Sequence, residues 1–117
     1  MGRTVRFYRT QDGKSPVEEF LDSLPAKSAQ KVVWVLRLVE ELETVPSLYF
    51  KKLRDTDALW ECRIQHGTNA YRIFCFFGPD GSLVLVNGFA KKSQKTPGTE
   101  IDLAQKHRRD FLGRRNI

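Results

Sequence analysis

Residues 59–77 read LWECRIQHGTNAYRIFCFF, and the pairing of this stretch decides the fold. Two runs rich in β-branched and aromatic residues, Leu59–Gln65 and Ala70–Phe77, flank His66-Gly67-Thr68-Asn69. That gap has hairpin length and turn chemistry, so the runs are expected to pair as antiparallel strands. With 66–69 as the loop, Gln65 faces Ala70, Ile64 faces Tyr71, Arg63 faces Arg72, Cys62 faces Ile73, Glu61 faces Phe74 and Trp60 faces Cys75. Strand alternation then sorts the side chains into two sets. Trp60, Cys62, Ile64, Tyr71, Ile73 and Cys75 form a core face, and Glu61, Arg63, Arg72 and Phe74 form the other. Two arginines directly opposite each other disfavour the pairing by up to roughly 1 kcal/mol unless solvent separates them or an anion bridges them.

Downstream, Gly78-Pro79-Asp80-Gly81 is a second turn, and Leu83–Ala90 (LVLVNGFA) a third strand of the same meander. Closing that turn at 78–81 places Asn87 beside Arg72 on the same face. Upstream, RTVRFYR (3–9) alternates, with Val5 and Phe7 on one side and Arg6 and Tyr8 on the other. Ser15-Pro16-Val17-Glu18 opens a helix with Ser as N-cap, Pro at the first position and Glu at the third. Pro25 ends it, and a second helix is expected from about Lys27 to Glu43. Its stripe is Ala29, Val32, Val33, Leu36, Val39 and Leu42, while Trp34, Val35 and Leu38 lie off it. Either the first helix covers that extra apolar face or a partner docks on it. Thr44–Phe50 reads as a linker broken by Pro46. Thr99-Glu100-Ile101-Asp102 resembles a capping box and opens a helix through about Leu112, followed by a basic tail from Gly113 to Ile117. The order β-α-α-β-β-β-α describes a small α+β domain over residues 1–117, with helices packed on an antiparallel sheet.

The composition suits such a domain. With 117 residues, 40% hydrophobic and 11% aromatic, the chain can bury a core without disulfides or metal and is too short for two cores. Cys62 and Cys75 both fall inside strands without CxxC spacing, so they are expected as buried thiols in a reducing cytosol. The absence of a long apolar run argues against a membrane span, and MGRTVRFYRT lacks an apolar signal region, so a cytoplasmic protein is expected. Net charge is +6, unevenly spread: +3 over 1–14, −3 over 15–43, +2 over 44–72, −1 over 73–90 and +5 over 91–117. A basic domain of this kind meets a polyanion or an acidic protein.

The polar face of the hairpin is where chemistry is expected. Ala90-Lys91-Lys92-Ser93-Gln94-Lys95-Thr96 leaves the last strand with three lysines and can lie over that face. Guanidinium and ammonium groups there, with Phe74 as an aromatic platform and Glu61 as an acid, suit an RNA backbone and one splayed base. They also suit cleavage by 2′-OH attack on the adjacent phosphate, where preorganised cations stabilise the charge developing on phosphoryl oxygens. His66 in the hairpin loop and His107 in the last helix lack a neighbouring carboxylate or a metal spacing. Glycine-rich phosphate loops, metal-ligand clusters and Ser-His-Asp spacings are missing from the sequence, so no metal or small-molecule cofactor is expected.

The succession KKL (51–53), LWECRI (59–64), AYRIFCFF (70–77), LVLVNGFAKKSQKTP (83–97) and EIDLAQKHRRDF (100–111) resembles the phage-derived, HigB-like branch of the RelE/ParE toxin superfamily. The resemblance covers nearly the whole chain, and its most specific piece is NGFAKKSQKTP followed by a helix. It implies a RelE-like fold and the toxin of a type II toxin–antitoxin pair. It also implies mRNA cleavage in the ribosomal A site, with the ribosome, mRNA and a cognate antitoxin, often a helix-turn-helix protein, as partners. Carried over to this sequence, it makes Arg63, Arg72 and Lys92 the phosphate-binding and charge-stabilising residues, with Lys91 beside them. Lys51 and Lys52 become candidate RNA contacts. Glu61 stands where RelE itself has a lysine, and no tyrosine lies in the C-terminal segment. Proton-transfer roles therefore stay unassigned, with Glu61, His66 and Lys95 as candidates. Two other readings remain open at this point: a ParE-like gyrase inhibitor, and an inert basic RNA- or DNA-binding relic.

Overall fold

The structure, a computed structural model, describes residues 2–115. Strand β1 (Val5–Phe7) is followed by helices α1 (Pro16–Asp22) and α2 (Ala26–Glu41). Strands β2 (Phe50–Lys52), β3 (Trp60–His66), β4 (Asn69–Phe77) and β5 (Leu83–Lys91) come next, and α3 (Gly98–Arg115) ends the described chain. The strands form one sheet in the order β1-β5-β4-β3-β2, antiparallel throughout except for the parallel β1–β5 pair. This is the expected α+β architecture with one added strand. Residues 50–52, expected as the end of a linker and the start of a new segment, pair with β3 through Phe50↔Cys62 and Lys51↔Glu61. Phe50 drives the pairing, since its ring is buried and stacks on Trp60 at a centroid distance of 4.8 Å.

The β3–β4 register is the one the alternation predicts, from Trp60↔Cys75 to Gln65↔Ala70. The strands run one pair further, to His66↔Asn69, so the turn itself is Gly67-Thr68. Gly67 has φ +61° and Thr68 is not in the left-handed region, the requirement of a type II′ hairpin turn. The β4–β5 register departs from expectation. A bulge at Val86 lets Phe74 face Asn87 and Cys75 face Leu85, so Arg72 pairs with Phe89 rather than Asn87. Asn87 stays on the Arg72 face, but its amide donates to the Glu100 carbonyl at 3.3 Å and to Glu100 Oε1 at 3.1 Å, tying β5 to the start of α3.

Helices cover both faces of the sheet. On one, Val17 of α1 and Val32, Val35, Leu36 and Val39 of α2 pack on Cys62, Ile64, Tyr71, Ile73, Cys75, Leu83 and Leu85. Ser15 caps α1 as expected, its Oγ accepting from Glu18 N at 3.2 Å. Gly88 is needed on this face, because a Cβ there would lie 2.5 Å from the Phe20 ring. The α2 stripe is rotated from the expected one. Val35, expected off the stripe, is in the core, whereas Val33 and Leu42, expected on it, are 41% and 39% exposed; of the extra face Trp34 stays uncovered at 45% exposure. On the other side of the sheet, α3 lays Ala104, Ile101, Phe111 and Leu112 over Tyr8, Phe74, Phe76, Val84, Val86 and Phe89. The α3 helix begins at Gly98, one residue ahead of the expected cap, and continues through Gly113 to Arg115 where a tail was expected. Asn116 and Ile117 of that expected tail lie outside the described residues. Cys62 and Cys75 are buried and free, as expected.

Candidate functional site

The face of β3 and β4 that α3 covers is not covered to its end. Phe74 and Phe76 lie beneath the helix, but two residues earlier on the same face Arg72 emerges beside Arg63 of β3. There the end of β5 and the segment after it close a cleft of about 440 Å³, lined by Arg63, Ala70, Arg72, Lys91, Lys92, Ser93 and Gln94. A smaller recess of about 130 Å³ shares Arg63 and Arg72 and adds Leu48, Ile64 and Gln65. The opposed arginines and the AKKSQ segment therefore meet, as the hairpin register and the strand exit require.

Glu61 sets the geometry of the arginine pair. Its carboxylate lies 3.5 Å from Arg72 Nε through Oε1 and 3.8 Å from Arg63 Nε through Oε2. Glu61 and Arg72 are both buried, at 7% and 8% exposure. Neither Glu61 Oε1 nor Arg72 Nε makes a hydrogen bond, so the pair is held by charge at a distance. Arg72 is oriented by donating from Nη1 to its neighbour's carbonyl, Tyr71 O, at 2.9 Å. Arg63 is backed by the loop before β2, its Nη1 donating to Ser47 O at 3.4 Å. Burial draws the Arg72 pKa down; the Glu61 carboxylate opposes that and the Arg63 charge adds to it. Lys91 is affected the same way, lowered by burial first and then by Arg72, with Glu61 working against the shift. Four cations and one anion, Arg63, Arg72, Lys91 and Lys92 against Glu61, leave this patch at 4 − 1 = +3. A patch of this charge has the chemistry to bind an anion and to stabilise negative charge developing on it.

The other expected residues fall elsewhere. Phe74 is fully buried with its ring edge-on to Phe89 at 5.1 Å, so it offers no platform to a base; the cover supplied by α3 is the reason. His66 ends β3 on the α1/α2 side of the sheet, where its Nδ1 lies 3.1 Å from Ser28 Oγ, and Tyr71 OH donates to the same Oγ at 3.1 Å. It is separated from Arg63 by the sheet itself. Lys51 pairs with Glu61 and shares its face, while Lys52 pairs with Trp60 and shares the opposite one. Both are exposed, and only Lys51 borders the arginine face. Lys95 is exposed but outside the residues lining the cleft, its carbonyl accepting from Ser93 Oγ at 2.9 Å. His107, on α3, packs its ring at a tilt against Tyr8 with centroids 4.6 Å apart, and burial followed by the Lys106 charge lowers its pKa.

Sequence reasoning passed over two features. One is the tuning of Lys91, which needs its neighbours Arg72 and Arg63 as well as partial burial. The other is the anchor of α3: Tyr8 OH donates to Asp110 Oδ2 at 2.6 Å, and Arg114 reaches the same oxygen at 2.8 Å. Only the alternation of Tyr8 with Phe7 hinted at the second. Among the described residues no group of three or more His, Cys, Asp and Glu side chains could hold a metal, and no helix is long and apolar enough to cross a membrane.

The five-stranded sheet and the three helices, including the C-terminal one, are consistent with a RelE-like fold. Residues 19–109 match the family described as Phage derived protein Gp49-like (DUF891), a span that contains α2, β2 to β5, every residue of the cleft and most of α3. No curated protein matches the chain. Because the match covers well over half of the sequence, the chain belongs to the phage-derived Gp49-like family, a family of RelE-like toxins.

Proposed function

We propose that the protein is the toxin of a type II toxin–antitoxin pair, a ribosome-dependent endonuclease that cleaves mRNA in the A site. The observation that carries this reading is the cleft in which Arg63 and Arg72 face each other with Lys91 and Lys92 alongside. In the proposed reaction a 2′-OH gives up its proton and its oxygen attacks the adjacent phosphorus. The P–O5′ bond breaks, the 5′ oxygen takes a proton, and a 2′,3′-cyclic phosphate is left behind. Arg63, Arg72 and Lys92 stabilise the charge gathering on the phosphoryl oxygens. Lys91, whose pKa burial and Arg72 bring down, is the amine best suited to accept or relay a proton. Glu61 holds the two guanidiniums apart and ready in the free protein.

The test is a purified translation reaction programmed with one defined mRNA, with new 5′ ends mapped by primer extension. Cuts are expected at codons, only in the presence of ribosomes. Arg72→Ala should reduce them by a factor on the order of 100 or more, the loss expected for one preorganised charge-stabilising group. Intact mRNA with the active protein overturns the nuclease reading. Loss of supercoiling by purified gyrase in its place would establish the gyrase inhibitor, whereas Arg72→Ala that only weakens RNA binding would establish a binding module.

A further inference from the structure

The sheet has two edges, and they are built differently. At one, β2 exposes Lys51 and Lys52, a usual way of blunting an edge against further pairing. At the other, β1 is bound only on its β5 side. Leu83 N donates to Thr4 O at 2.8 Å and Tyr8 N to Leu85 O at 2.9 Å, so the even-numbered residues address β5. Pleat alternation turns the N–H and C=O groups of Val5 and Phe7 to the open side. Among the described residues the only backbone hydrogen bond on that side is upstream of the strand, at Arg3, and none reaches Val5 or Phe7. The strand is nonetheless fixed in place from upstream, because Arg3 N donates to Glu40 O at 2.8 Å and the Arg3 guanidinium donates to the Val39 and Glu43 carbonyls.

Clefts of opposite character flank this edge on the two faces of the sheet. Toward α1 and α2 there is one of about 190 Å³, walled by Val5, Phe7, Leu21, Val33 and Leu36, with Arg37 and Glu40 beside them. Toward α3 there is one of about 300 Å³ lined by Arg6, Phe7, Arg9, Phe111 and Arg114. A strand laid against β1 sends successive side chains to opposite faces. One set then meets the apolar cleft, where Val33 is 41% exposed, and the other meets three guanidiniums.

We propose that the β1 edge binds an extended segment of a partner protein in which apolar and acidic residues alternate. Backbone pairing would supply affinity and the two clefts the residue pattern. The arginines already have carboxylates nearby, Arg6 with Asp80 at 3.2 Å, Arg9 with Glu18 at 2.7 Å and Arg114 with Asp110 at 2.8 Å; the last pair holds α3, which leaves Arg6 and Arg9 as the main receptors. The Arg6 and Arg9 pairs are roughly half exposed, and surface pairs of that kind contribute little. A guanidinium also has five N–H donors, so an incoming carboxylate can join or replace the internal one. A second copy of the chain is the wrong occupant on charge, since two β1 edges side by side would crowd two sets of Arg6, Arg9 and Arg114 together. The edge lies across the sheet from the arginine cleft, so this binding is independent of the nuclease reading.

The test uses the full chain and a dye-labelled nine-residue peptide that alternates glutamate with valine and leucine, followed by fluorescence anisotropy. Saturable binding is expected, together with slowed amide exchange at Val5 and Phe7. Three changes should each weaken it at least tenfold: gathering the glutamates into one block at constant composition, N-methylating the peptide on the side facing β1, and Arg6→Glu. Val33→Asp, at an exposed position, should weaken it as well, with an unchanged melting temperature. Equal binding of the blocked-charge or N-methylated peptide would reduce the interaction to charge attraction and overturn the proposal, as would no binding at millimolar peptide. A dimer in sedimentation velocity that the peptide dissociates would overturn the choice of occupant in favour of a second copy.

Discussion

Arg72 and Phe74 occupy the same face of the same strand, two residues apart, and meet opposite fates. Phe74 is fully buried beneath α3 with Phe89 and Ala104, whereas Arg72, itself largely buried, lines an open cleft beside Glu61. Strand alternation assigns a face; it says nothing about the footprint of a helix that begins only at Gly98. Here the footprint ends between these two positions. The bulge at Val86 contributes to that boundary, because it places Asn87 opposite Phe74 and lets it fasten to Glu100 at the start of α3. A second boundary follows from it: chemistry that shares a strand with the core can be precise without any mobile loop, since the rigid sheet holds Arg63 and Arg72 in register.

The sharpest way to break this comparison is Phe74→Ala. A ring buried on all sides should cost about 3–5 kcal/mol when removed. The melting temperature should fall by roughly 10–20 °C, measured by circular dichroism. A variant that melts normally but loses RNA binding would mean that Phe74 faces ligand and that the boundary is drawn in the wrong place.

The contrast also explains what was legible in the sequence. The β3–β4 register, and with it the Arg63–Arg72 pair, followed from a short turn and from period-two patterning, both local properties. The Ser15 cap followed from a local motif. Phe74 and Asn87 were misplaced for a non-local reason: whether a residue on the polar face is wet depends on α3 and on a bulge, and neither leaves a mark in the residues of β4. His66 was misread because the strands continue to the His66↔Asn69 pair, which turns its ring to the face of Ser28. Strand β2 was overlooked because three residues beside Pro46 carry too short a pattern, and Phe50 finds its partner only across space, on Trp60.

The covered side can be probed through its anchor. Tyr8 is buried and donates to Asp110, and burial first, then that hydrogen bond, push its pKa up to about 12 from 10.0. The folded pKa lies above the unfolded one, so the contribution is complete below pH 10 and is lost as pH rises toward 12. A shift of this size corresponds to something on the order of 2 kcal/mol. Wild type and Tyr8→Phe should therefore diverge less in stability at pH 11.5 than at pH 8, by denaturant titration. A difference that stays constant with pH would show that the phenol does not hold α3 to the sheet.

On the open side, Glu61→Gln should sharpen the picture. Removing the carboxylate between Arg63 and Arg72 frees both guanidiniums for phosphate, so affinity for a short single-stranded RNA should rise by up to about tenfold. The slope of log affinity against log salt should steepen by up to about one phosphate contact. Weaker RNA binding would mean that Glu61 acts chiefly by positioning the arginines, and that the cleft collapses or splays without it.

The smallest effect is expected at His66, and its smallness is informative. Tyr71 OH donates to Ser28 Oγ, which is also hydrogen-bonded to His66 Nδ1, and this chain ties the end of β3 to the first turn of α2. His66→Ala should cost about 1 kcal/mol, the worth of one partly buried hydrogen bond. Because the ring stands on the opposite face of the sheet from Arg63, mRNA cutting should change by no more than roughly twofold, as for sites without shared partners. A loss comparable to that of Arg72→Ala would place a histidine in the reaction and require the end of the hairpin to turn over, exchanging the face of His66 for that of Gln65. If cutting instead persists while stability drops, the two faces of β3 divide the work between them: His66 fastens the helix layer, and Arg63, three residues earlier, serves the cleft.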